Sequence, residues 1–66
     1  MIKEERQFLF GKYIKKGLTY DQADKKVNET DKYLKRKVEK WKKKNLSDKD
    51  IDLKFKEEFS KICERN

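Results

Sequence analysis

The residues whose types and spacing suggest chemistry lie in one basic run, from Lys32 to Lys44, with the sequence KYLKRKVEKWKKK. The run holds eight basic residues and one acidic residue, so its net charge is +7. The whole chain has the same formal charge, because the remaining twelve basic and twelve acidic residues cancel. Lysines are point charges on flexible stems, suited to phosphate or carboxylate oxygens. We therefore expect a partner to bind at this run.

A helical wheel of about 100° per residue separates the side chains around this run into rows. The row beside the apolar stripe contains no acidic residue and consists of Lys26, Tyr33, Lys37, Lys40 and Lys44. The row behind it mixes both charges and consists of Lys25, Lys32, Arg36, Lys43, Glu29 and Glu39. From these rows, the predicted contact residues for nucleic acid or a protein partner are Lys26, Tyr33, Arg36, Lys37, Lys40, Lys43 and Lys44.

The ordinary explanation of a charge run is a solvated helix face in a lysine-rich protein. Two features favour a partner instead. Eight of the twenty basic residues lie within thirteen positions. In addition, like charges four residues apart, such as Lys32 with Arg36, repel and reduce helix stability. The predominance of lysine over arginine argues against base recognition through bidentate guanidinium contacts.

Other patterns that resemble chemical sites do not meet the requirements of those sites. Carboxylates alternate from Asp48 to Asp52, as in a calcium loop. Such a loop needs glycine at its sixth position and glutamate at its twelfth, where this chain has Leu53 and Phe59. The chain has no histidine and a single cysteine, Cys63, which leaves no zinc cluster and no His-activated thiol. We predict no enzyme activity, no metal and no cofactor.

Length and composition limit the class of protein. At 66 residues the chain fits a single basic helical domain, 1–66, with a small core of marginal stability. One cysteine cannot form an intramolecular disulfide, so association is the remaining source of added stability. No apolar run approaches the roughly 18 residues of a membrane span. With no secretory signal and a lone thiol, the expected location is the cytoplasm.

Two matched corners divide the chain into helices. Gly17 and Asn45 are suited to the left-handed conformation that ends a helix. Thr19 and Ser47 follow them as N-caps, and Gln22 completes a capping box after Thr19. Such short corners make neighbouring helices antiparallel.

The predicted fold is all-α, a small three-helix bundle with a long central helix. The bounds that these signals predict are about 3–16, about 20–44 and about 48–65. Trp41 lies on the apolar stripe of the central helix, and we interpret it as core that packs against the third helix. Phe8 lies off the stripe of the first helix and is a candidate apolar contact for a homodimer or another partner.

These observations lead to hypotheses from different classes. The first is a small non-enzymatic module whose lysine-rich helix face contacts the phosphates of DNA or RNA without sequence specificity. The alternative is a protein-interaction module, an adaptor or inhibitor of phage or mobile-element type, that docks its basic helix on an acidic protein surface. Attachment to an anionic membrane surface is a weaker third hypothesis, because the apolar stripe is narrow.

Overall fold

The computed structural model describes residues 1–65 and contains three α-helices, α1 (Lys3–Lys15), α2 (Tyr20–Lys43) and α3 (Asp48–Arg65). The predicted all-α fold is confirmed, and each helix begins and ends within one residue of its predicted bounds. The described residues contain no strand. α2 is the longest helix and contacts both of the others.

The first corner ends α1 and begins α2 through backbone geometry that the sequence specifies. Gly17 has a φ of +97°, in the left-handed region where glycine carries no Cβ penalty. The Gly17 N–H donates to the Ile14 carbonyl and the Leu18 N–H to the Tyr13 carbonyl, which is a Schellman motif. Thr19 then caps α2, since its Oγ1 accepts from the Gln22 N–H at 3.2 Å. The predicted capping box is confirmed.

The second corner repeats this arrangement between α2 and α3. Asn45 has a φ of +61°, and its N–H donates to the Lys42 carbonyl. The Leu46 N–H donates to the Trp41 carbonyl, which completes a second Schellman motif. Ser47 caps α3 by accepting from the Asp50 N–H at 3.2 Å. Both turns are tight, so each helix runs antiparallel to the one before it.

The core is small and lies mainly at one end of the molecule. Its buried cluster consists of Leu9 and Tyr13 from α1 and Ala23 and Val27 from α2, and partly buried side chains of α1 and α3 pack against it. At about 1.5 Å per residue, α1 is about 20 Å long and α2 about 36 Å, so α1 covers only the first part of α2. We call the part built around this cluster the three-helix end. The remainder, where α2 packs on α3 alone around Trp41 and Ile51, is the two-helix end.

Candidate nucleic-acid interface

The basic run forms the C-terminal half of α2 together with the residue that follows it. Leu34 and Trp41 are buried against the other helices, so the side chains on the opposite side of α2 face solvent. We call this exposed surface the cationic face. Its basic residues are Lys32, Lys35, Arg36, Lys40, Lys42, Lys43 and Lys44, with the half-buried Lys37 at its edge.

The protein's own carboxylates leave most of this charge uncompensated. Within residues 1–65, Lys35 is the one member of the face in ion-pair range of a carboxylate, with its Nζ 3.6 Å from Asp31. Glu39, the acidic residue inside the run, forms no ion pair with any described residue. Seven of the eight basic side chains therefore have no carboxylate partner in the part of the chain that the structure describes.

A structural role accounts for only part of the face. Lys40, Lys42 and Lys43 lie in the last turn of α2, where cations complement the negative end of the helix dipole. Lys32 and Arg36 lie more than a turn before that end, where the dipole effect has faded. Their repulsion lowers helix stability, so dipole stabilisation does not explain the whole run.

Tyr33 is the aromatic residue of the face. Its side chain is 45% exposed, and the Nζ of Lys37 lies 5.5 Å from the centre of its ring. The contact holds Lys37 against the ring and leaves part of the ring open to solvent. A half-exposed aromatic beside lysines can stack on an unpaired base while the lysines hold phosphates.

Lys26 is separated from the other predicted contact residues. It lies seven residues before Tyr33, the nearest of them in the same helix, or about 10 Å along the helix axis. There it lines a shallow groove at the three-helix end, together with Glu29 and Arg65. The structure therefore brings together six of the seven predicted residues, namely Tyr33, Arg36, Lys37, Lys40, Lys43 and Lys44, and leaves Lys26 beside an acidic neighbour.

Trp41 is 9% exposed and belongs to the core, as predicted. The Nζ of Lys54 on α3 lies 5.9 Å from the centre of its ring system. This contact ties α3 to the inner side of the helix whose outer side carries the cationic face. Trp41 therefore supports the face rather than forming part of it.

Asp31 organises a cluster of cations that sequence reasoning did not foresee. Its carboxylate lies 2.7 Å from the ammonium group of Met1 and 3.3 Å from a guanidinium nitrogen of Arg6, in addition to Lys35. The hydrogen bond from the Met1 ammonium is the main reason why the pKa of Asp31 is lowered. The ion pair between Asp31 and Lys35 can be predicted from the sequence, because the two residues lie four positions apart in one helix. The contacts with α1 depend on how the helices pack, which no local pattern indicates.

Phe8 is off the core stripe, as the wheel predicts, but it is not isolated. The side chain is 53% exposed, and its ring centre lies 6.3 Å from that of Phe59 on α3. Lys12 lies over the same ring, with its Nζ 5.3 Å from the centre, and also donates to the Cys63 carbonyl at 3.4 Å. Phe8 therefore links α1 to α3 on the side of the bundle away from the cationic face.

No family model, curated protein or solved structure matches this chain. The three helices described here lack the combination of length and apolar character that crossing a membrane requires. Across residues 1–65, no three His, Cys, Asp or Glu side chains are grouped so as to hold a metal ion. The functional interpretation therefore depends on the geometry and charge of the cationic face.

Proposed function

We propose that this chain is a small non-enzymatic module that binds nucleic-acid phosphates through the cationic face, without sequence specificity. The observation that carries the proposal is the uncompensated charge of the face: seven of its eight basic side chains lack a carboxylate partner among the described residues. The thirteen residues of the run extend about 18 Å along α2. This length spans several backbone phosphates of single-stranded or duplex nucleic acid.

The chemistry of the face favours backbone contacts over base recognition. Seven of its eight basic residues are lysines, and Arg36 is the one arginine. Lysine ammonium groups neutralise phosphates and release condensed counterions, which supplies affinity regardless of sequence. Tyr33 adds a surface on which a base can stack, at about 1–3 kcal/mol per stacked base. The module is therefore expected to bind with strong salt dependence and weak sequence preference.

Fluorescence anisotropy tests this proposal. Labelled single-stranded and duplex oligonucleotides of mixed sequence are titrated with the protein between about 50 and 200 mM salt, where phosphate contacts weaken steeply. Replacing Lys37, Lys40 and Lys44 with glutamine should lower the affinity at low salt. On duplex DNA it should also reduce the salt slope by about 2.7, since each lost phosphate contact contributes about 0.9.

A matched control separates the face from net charge. Lys3, Lys15 and Lys16 are exposed, lie on or beside α1, and form no ion pair with a described residue. Replacing these three with glutamine removes the same charge from another part of the surface. The control should keep most of the affinity. Equal losses in the two triple variants, or no binding by the wild type at low salt, would exclude the proposed interface.

A second candidate function is docking on an acidic protein surface. The half-exposed Tyr33 favours it, because tyrosine is among the residues enriched in protein-binding hot spots. Affinity capture from the native cell, with and without nuclease, distinguishes the two functions. A protein retained after nuclease treatment, and lost with the variant at Lys37, Lys40 and Lys44, would favour the second.

A further inference from the structure

A second surface, on the opposite side of the bundle, carries a row of aromatic rings. The ring of Phe8 on α1 contacts that of Phe59 on α3, and Phe59 lies 6.4 Å from Phe55 with the two planes only 9° apart. Phe8 is 53% exposed, while Phe55 and Phe59 are half-buried. We call this surface between α1 and α3 the aromatic face.

The apolar character continues beyond the rings. A shallow groove near the start of α1 is lined by Met1 and Ile2 on one side and by Phe55 on the other. Ile2 is 63% exposed, which makes it one of the most exposed large apolar side chains described. The aromatic face thus follows the seam between α1 and α3 from Ile2 to Phe8.

An exposed apolar strip of this kind is typical of a surface that a binding partner buries. Contiguous apolar surface with a polar rim is the usual mark of an interaction site, whereas isolated exposed apolar residues are common and need no explanation. A chain of 66 residues also buries only a small core, so it gains more from association than a larger domain does. The charges around the strip determine which class of partner can bind there.

The charges on the aromatic face balance. Glu5, Asp52 and Lys56 line the groove, and Lys12 lies over the ring of Phe8. Two acids and two bases give no net attraction for a polyanion. Asp52 and Lys56 already pair within the chain at 3.1 Å. In a two-fold contact the same patch meets itself, so Glu5 of one copy can lie near Lys12 of the other. Rings would then pack against rings at the centre of the contact.

The charge of the cationic face determines which surface two copies of the chain can use to contact each other. Two copies that met through α2 would bring together two surfaces of net charge +7. A contact through the aromatic face keeps these charges on the far side of each copy. We infer that the aromatic face binds a second copy of this chain, which forms a two-fold dimer with a cationic face on each outer side. This inference is independent of the proposed function, because it needs no nucleic acid.

Sedimentation equilibrium over about 10 µM to 1 mM protein tests the inference by mass action. The wild type should show reversible dimers, and Phe8→Ala should raise the dimer Kd by about tenfold or more. The matched control is Leu53→Ala, because Leu53 is 57% exposed on α3 and no ring contact of the described residues involves it. The control should dimerise like the wild type.

Further variants keep the test decisive. If circular dichroism shows that Phe8→Ala does not fold, Ile2→Ser is the second variant. It removes exposed apolar surface at the edge of the aromatic face, outside the core, and should also weaken the dimer. The triple glutamine variant of Lys37, Lys40 and Lys44 should dimerise normally even if it no longer binds nucleic acid. A wild type that remains monomeric, or equal Kd values for Phe8→Ala and the wild type, would overturn the inference.

Discussion

The three-helix end and the two-helix end of the bundle differ in both packing and charge. At the three-helix end, α1 and α2 form a buried cluster around Leu9 and Val27, and side chains of α1 and α3 pack against it. Outside this cluster the buried residues of the described chain are Leu34, which is fully buried, and Trp41 and Ile51, which are each 9% exposed. At the two-helix end α1 no longer covers α2. The first end holds four of the seven buried residues that the structure describes, together with the partly buried side chains that pack on them. The second carries most of the uncompensated charge.

Polar contacts follow the same division. Near the three-helix end, Arg6 pairs with Asp31 and also donates to Asn28, so a cation of α1 is held by acceptors on α2. At the two-helix end, most cations of α2 face solvent and form no ion pair with a carboxylate of the described chain. The paired cations Arg6 and Lys35 both meet Asp31, close to where α1 begins, whereas the other cations of the face have no such partner. The three-helix end therefore holds the ion pairs and hydrogen bonds between α1 and α2, and the two-helix end carries the surface that we propose as the binding site.

The largest expected effect is at the three-helix end. Leu9 is fully buried, and Leu9→Ala should lower the free energy of unfolding by about 2–5 kcal/mol, through lost burial and an unfilled cavity. For a chain of this size that is most of the stability. Leu53→Ala, a change of the same size at an exposed site, should cost within about 0.5 kcal/mol. Urea unfolding followed by circular dichroism measures both, and similar losses would contradict the division between the ends.

The two corners offer a smaller test. Gly17→Ala places a Cβ at a φ of +97° and should cost about 1–2 kcal/mol. Asn45→Ala should cost less, because Asn45 already has a Cβ at its φ of +61° and the new strain is only part of the left-handed penalty. As a control, Gly11→Ala should stabilise α1 by about 1 kcal/mol, since a Cβ there meets nothing within 4 Å. In thermal unfolding, Gly17→Ala should be the least stable of the three variants, Asn45→Ala should be intermediate and Gly11→Ala should be the most stable.

Asp31 lies where α1 begins and the two ends meet. Its side chain is 15% exposed and faces three cations, so Asp31→Asn should cost about 1 kcal/mol at neutral pH. The pKa of Asp31 is lowered in the folded state, so the unfolded state takes up the proton first as the pH falls. The stabilisation that the Asp31 carboxylate gives the folded state is therefore complete above the ordinary aspartate pKa of 3.8. It is lost as the pH falls below that value. Unfolding free energies of wild type and variant should converge in that range, and a constant difference would show that the charge is not responsible.

Local patterns predicted the fold almost completely. Caps, left-handed residues and apolar spacing act within four or five residues. Thr19, Ser47, Gly17 and Asn45 therefore specify the corners without reference to any tertiary contact. Trp41 was likewise assigned to the core from its position on the stripe alone. The features that depend on how far one helix overlaps another were not accessible in this way.

Two contacts illustrate what the sequence could not provide. Phe8 was recognised as off the stripe, but its contact with Phe59 joins residues 51 positions apart and depends on the packing of α1 against α3. Lys26 shares the row of Tyr33 and Lys37 on the wheel, which gives no distance along the helix axis. The structure places Lys26 near Arg65 and Glu29 at the other end of α2. Wheel positions specify a direction around a helix, and only tertiary structure specifies the neighbours.

The smallest expected effect on stability is at the cationic face, and it is the sharpest test of the division. Lys37, Lys40 and Lys44 form no ion pair with a described residue, so replacing all three with glutamine should change the free energy of unfolding by no more than about 0.5 kcal/mol. Relief of repulsion between like charges four apart acts in the stabilising direction, at a few tenths of a kcal/mol per pair. Lost stabilisation of the helix dipole acts against it.

Salt separates these two contributions. Screening weakens repulsion between exposed charges, since the Debye length falls from about 10 Å at 0.1 M to about 3 Å at 1 M. If repulsion within α2 outweighs the dipole effect, added salt should stabilise the wild type more than the triple variant, and the two unfolding curves should approach each other. A triple variant that is less stable than the wild type by more than about 1 kcal/mol would mean that these lysines support the fold. Their unpaired charge would then no longer argue for a partner.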